Sequence, residues 1–170
     1  EVLEIALEAL NACTCNRQAN LPKKEKEVKK SDIKVEIIRF EKELFACDPN
    51  RLDVDLVKLE QKYPVFYNVF YNQVLNIPSY GDKGTQLNVM QDFITKKAMK
   101  GLYDTVQYKL GNLDFLYEDL QIEFRNYKSY FPEKPVPTVV TCISEFSYSV
   151  FTATDSILGI SLDKYLGPKY

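Results

Sequence analysis

From Ile33 onward the apolar positions follow two periods in turn. Ile33, Val35 and Ile37 alternate with Lys34 and Glu36, the two-residue period of a half-buried strand. The strand runs into Phe40-Glu41-Lys42-Glu43-Leu44-Phe45, which reads as a short helix. Asp48-Pro49 has the form of a helix start, an Asp cap followed by proline at the first helical position. Leu52, Leu56, Val57 and Leu59 then make an apolar face that ends near Tyr63-Pro64, and a further helix is expected from Val65 to Leu75. Residues 76–85 form a turn-rich loop. Leu87–Met99 and Leu102–Leu110 read as two helices separated by Gly101. Gly111-Asn112 ends the second and caps a long helix over Leu113–Tyr130, with Leu116, Leu120, Phe124 and Tyr127 along one side.

After Phe131-Pro132 and the extended connector Lys134-Pro135-Val136-Pro137, the pattern turns to strands. Thr138–Ile143 is dense in β-branched residues, Phe146–Thr152 alternates aromatic and aliphatic with serine, and Ile157–Leu162 is a third strand after a turn at Thr154-Asp155-Ser156. The expected fold class is therefore α+β: a helical N-terminal half followed by an antiparallel strand meander over residues 33–170. The last strand would have little beneath it, so the domain is expected to be a fragment, incomplete at its C-terminus.

Upstream, the chain divides into a signal-like segment over 1–15 and a polar tether over 16–32. Leu10-Asn11-Ala12-Cys13 has the form of a bacterial lipobox, in which the cysteine becomes the lipidated first residue after cleavage. Val2, Leu3, Ile5, Ala6, Leu7, Ala9 and Leu10 supply a short apolar run before it. Glu1, Glu4 and Glu8 form one polar stripe, so the same residues also read as an amphipathic helix with Cys13 an ordinary thiol. Residues 16–32 carry Lys23, Lys24, Lys26, Lys29 and Lys30 and little to bury. They make a linker of about 55 Å when fully extended at ~3.3 Å per residue.

Composition narrows the chemistry more than the charge does. Hydrophobic residues are 45% of the 170, enough for a packed core, and a formal charge of -2 gives no footprint for nucleic acid. There is no histidine, which removes the H-E-x-x-H zinc motif, the Ser-His-Asp triad and the Cys-His dyad from this stretch. The six glycines form no phosphate-cradling fingerprint, and no cofactor is expected. Cys13 and Cys15 form C-x-C with no second pair, while Cys47 and Cys142 read either as a bridge in an oxidising compartment or as a thiol and a small buried hydrophobe. Glu118, Asp119 and Glu123, or Glu145, Asp155 and Asp163, offer acid and base pairs, but at no diagnostic spacing, and no catalytic residue is assigned. Tyr63, Phe66, Tyr67, Phe70 and Tyr71 form an aromatic stripe that reads as a core face or as a possible interaction face.

Several blocks together resemble the gliding-motility lipoprotein GldB family of Bacteroidetes. They are the lipobox, Ile33-Lys34-Val35-Glu36-Ile37-Ile38-Arg39-Phe40-Glu41, Tyr63-Pro64 and Tyr130-Phe131-Pro132. Pro137-Thr138-Val139-Val140-Thr141-Cys142-Ile143-Ser144-Glu145 and Asp155-Ser156-Ile157-Leu158-Gly159-Ile160-Ser161-Leu162-Asp163-Lys164-Tyr165-Leu166-Gly167 are the most specific of them. The resemblance implies an envelope lipoprotein anchored in the membrane through Cys13 and facing the periplasm. Its expected partners are envelope proteins of the motility or secretion machinery. It also implies a longer parent fold, distantly similar to zincin-like metallopeptidases, whose metal-binding helix would lie past Tyr170. Two functional expectations follow: a non-enzymatic envelope component, and a metallopeptidase-like or peptide-binding periplasmic module.

Overall fold

Ile33 and Val35 are buried while Lys34 and Glu36 are exposed, so the two-residue period does mark an inward and an outward side. The computed structural model of the chain describes residues 33–77 and 83–167. The signal-like segment, the lipobox with Cys13 and Cys15, and the tether lie outside the described residues. Strand pairing begins only at β1, Ile37–Arg39, and passes without a loop into helix α1, Phe40–Phe45.

Five more helices follow: α2 (Leu52–Lys62), α3 (Pro64–Val69), α4 (Lys83–Thr95), α5 (Lys97–Leu110) and α6 (Asp114–Tyr130). Tyr63 breaks α2 from α3, and Pro64 takes the first turn of α3, where its missing N–H costs nothing. A π-helical turn over Phe70–Val74 continues α3, and Asn76 leaves it with a left-handed φ of 50°. Asp48-Pro49 does not open α2. It forms a turn in which the Arg51 N–H donates to the Asp48 carbonyl and the Asp48 carboxylate accepts the Asn50 N–H at 2.9 Å. Proline at the second place of such a turn is as well suited as at a helix start. Helix α4 begins at Lys83, inside the expected loop, and the break before α5 falls at Lys96 (ψ 133°) rather than at Gly101. Met99, Leu102 and Val106 share the buried side of α5, whereas Gly101 is on the solvent side with no atom near an added Cβ. Tertiary packing overrides the glycine's propensity cost of about 1 kcal/mol.

The sheet corrects the expected meander. Strands β2 (Thr138–Cys142), β3 (Val150–Thr154) and β4 (Ile157–Ser161) join β1 in the order β1-β2-β4-β3. β1 pairs with β2 and β2 with β4 in parallel, and only β3 and β4 are antiparallel. All six helices thus lie in one crossover between parallel neighbours β1 and β2. β2 and β4 are central, and their apolar runs are buried almost throughout. β3 starts at Val150 rather than Phe146, because the chain after β2 must first step past the position β4 will take. Two strand spacings are about 10 Å, and residues 143–149 cover them.

The core is continuous from helices to sheet. Phe40 is fully buried, with the Phe66 and Phe70 rings each at 5.1 Å and those of Tyr63 and Tyr67 at 6.0 and 6.5 Å. Phe45 stacks on Tyr103 of α5 at 4.5 Å and meets Phe93 of α4. Phe66 in turn stacks on Phe151, whose ring covers Gly159 so closely that a Cβ there would lie 2.3–2.6 Å from it. Ile160, on the same central strand, is wholly buried. Ile160→Asp should therefore lower stability by more than about 4 kcal/mol, through an unpaired buried charge. A chemical-denaturation midpoint within error of the parent would show that the strand is not central.

Candidate functional site

Two polar clusters sit at the carboxyl ends of the parallel strands, and both serve the fold. In the first, Arg39 Nε lies 2.6 Å from a fully buried Glu41 carboxylate, whose other oxygen accepts the Thr141 hydroxyl at 2.6 Å. The same guanidinium donates to the carbonyls of Gly111 at 2.9 Å and Leu110 at 3.1 Å. It thereby caps the negative end of α5 and satisfies carbonyls that have no helical donor. In the second, the buried Asp163 carboxylate accepts the Ser161 hydroxyl at 2.9 Å and the backbone N–H groups of Ser144 and Phe146 at 3.3 and 2.5 Å. Glu145 and Phe146 are held in left-handed conformations, φ 52° and 63°. Such residues persist only where their surroundings over-determine them.

Cys142 is buried beside Ser161, its Sγ 3.7 Å from the hydroxyl oxygen, and burial pushes its thiol well above the ordinary value. Cys47 donates to the Glu43 carbonyl, and burial, with Asp55 and Glu43 adding, pushes its thiol up to about 11. Both are free, so the Cys47–Cys142 bridge does not form. Of the candidate carboxylates, Glu118, Asp119 and Glu123 lie on α6, Glu145 in the strained turn, and Asp155 in the β3–β4 turn, 2.5 Å from Lys134. Asp163 is occupied by the turn it holds. Among the described residues no three metal-ligating side chains converge.

A groove of about 830 Å³ lies between α2, the end of α3 and α4. Val54, Val57, Leu87 and Met90 supply its apolar lining, and the first two are about half exposed, at 50% and 49%. The π-helical turn carries Tyr71 on from α3, and its ring stacks on Tyr67 at 5.8 Å along the groove wall. π-helical turns recur at functional sites because they shift the side chains that follow them. Burial raises the Tyr67 hydroxyl above its ordinary value, with Tyr71 and the Glu60 carboxylate adding to the effect, and burial raises Tyr71 too. The Tyr71 hydroxyl is buried without a hydrogen-bond partner. Asp53 and Glu60 stand exposed in the groove lining, whereas Lys58 is engaged by Asp55 at 2.8 Å.

The aromatic stripe of α3 is thus divided by its surroundings. Phe66 and Phe70 are in the core, each only 1% exposed. Tyr67 and Tyr71 line the groove, and Tyr63 turns to Glu43, donating its hydroxyl at 2.7 Å. Hydrophobic periodicity identifies the stripe but not its division, and nothing in the sequence pattern singles out the α2 and α4 residues opposite it.

The chain belongs to the gliding motility protein GldB family, a lipoprotein family, whose model matches residues 22–170. No curated protein and no solved structure matches the chain significantly. No helix among the described residues is long and apolar enough to cross a membrane.

Removing one member of the buried ion pair leaves the other uncompensated. Glu41→Leu should cost about 3–5 kcal/mol in urea unfolding. Adding Arg39→Met should cost less than the two single changes summed, by more than about 1 kcal/mol. Simple additivity would mean that the two charges do not act as a unit.

Proposed function

We propose that this chain is a lipid-tethered component of the cell envelope that supports gliding motility or the linked secretion machinery without catalysing a reaction itself. Membership in the GldB family over residues 22–170 is the observation that carries this reading. Cys13, in its lipobox, is the residue that would bear the acyl chains, and residues 16–32 would hold the folded domain off the membrane on its periplasmic side. The buried polar groups of the domain are spent on capping a helix and holding a turn. The helical layer carries the open groove, which makes it the surface through which envelope partners would dock.

A second reading rests on β3. It pairs only with β4, so its other edge faces no strand among the described residues. Phe146 and Tyr148, both exposed, precede it. An edge of this kind can receive an extended peptide by strand addition, as a peptide-binding module would.

Mass spectrometry of the N-terminal peptide from native membranes tests the tether. The expected first residue is an acylated Cys13, and Cys13→Ala should move the protein from the membrane fraction to the soluble one. An unmodified peptide that includes Glu1, or a Cys13→Ala variant still firmly membrane-bound, would overturn the lipoprotein assignment.

A further inference from the structure

The groove between α2, α3 and α4 has a particular chemistry, and we propose that it docks a basic amphipathic helix from an envelope partner protein. The inference rests on the reading of this chain as a non-enzymatic envelope component and adds the kind of partner its helical layer fits. The groove is walled by helices, the setting in which an amphipathic helix lays down its apolar face. Val54, Val57 and the half-buried Leu87 offer the apolar surface that such a face would cover.

Charge decides the sign of the partner. Lys58 is the only cation among the described groove-lining residues, and Asp55 already holds it at 2.8 Å. Asp53 and Glu60 have no ion-pair partner among the described residues. The half-buried Tyr71 ring, stacked on the buried Tyr67, adds aromatic surface that favours a cation nearby. Basic residues two turns apart on the incoming helix meet the Asp53 and Glu60 carboxylates, which lie about 10 Å apart along α2. An acidic helix of the same apolar pattern meets like charge.

The test uses the full chain and two synthetic helical peptides of about 18 residues, long enough to populate helix. One carries leucine and lysine, the other leucine and glutamate in the same apolar pattern. The Leu/Lys peptide should saturate at one equivalent and shift the resonances of Val54, Val57, Tyr67 and Leu87. It should bind roughly tenfold more tightly than the Leu/Glu peptide, with the difference shrinking as salt is raised. Asp53→Asn with Glu60→Gln should weaken it about fivefold or more while leaving the melting temperature unchanged, since both side chains are exposed. Equal binding of the two peptides, or binding that the double variant does not weaken, would overturn the proposal. So would the absence of saturable shifts, or shifts confined to Val150–Thr154, which would favour strand addition at β3. Self-association of the chain that the double variant abolishes would assign the face to a second copy instead. None of these failures alters the acylation state of Cys13, so the lipoprotein reading stands or falls separately.

Discussion

The fold turns on three consecutive residues at the junction of β1 and α1. Arg39 and Glu41 pair with each other at 2.6 Å, and with Phe40 between them they reach helices and sheet from one point. Arg39 caps the end of α5 through Leu110 and Gly111, Phe40 gathers the rings of α3, and Glu41 receives Thr141 from β2. The six helices are inserted between two strands that must come back side by side. Closing so long a connection carries an entropic cost, which these contacts offset where the connection starts. Glu41 is fully buried, Arg39 partly so, and both make further hydrogen bonds that leave neither charge unsatisfied.

Asp163 does for the other end of the sheet what Glu41 does for the first. The chain leaves β2, passes the place of β4, and returns along the edge as β3. That path needs a sharp reversal at Glu145-Phe146, held by the buried carboxylate through two backbone N–H groups. Because Asp163 follows directly after β4, placing β4 in the centre also places the carboxylate under the turn.

With its buried charges committed to these two tasks, the molecule keeps its adaptable chemistry on the helical side. The groove there combines aliphatic surface, a pair of stacked tyrosines and two carboxylates without ion-pair partners among the described residues. The family is a lipoprotein family, and weak docking becomes effective when both partners are held at one membrane.

Much of this was legible along the chain. The apolar periods mark α1, α6, β2 and β4, while the expected starts of β1 and β3 each fall four residues early, and the blocks around Thr138–Glu145 and Asp155–Gly167 carry the family likeness that the match over 22–170 shows. Local patterning identifies these because each depends on the next few residues. The order β1-β2-β4-β3 was not legible, since short connections read equally well as a meander, and only the pairing of β2 with β4 excludes it. Gly101 was misleading for a related reason. A glycine's cost is local, whereas the break at Lys96 is set by which side of α5 must bury Met99, Leu102 and Val106. The division of the α3 tyrosines and phenylalanines between groove and core was likewise decided only in three dimensions, because burial depends on what packs opposite. The sequence by itself determined the elements and the family. The tertiary structure alone decided the strand order, the work of the buried charges and the shape of the groove, each made by residues far apart in the chain.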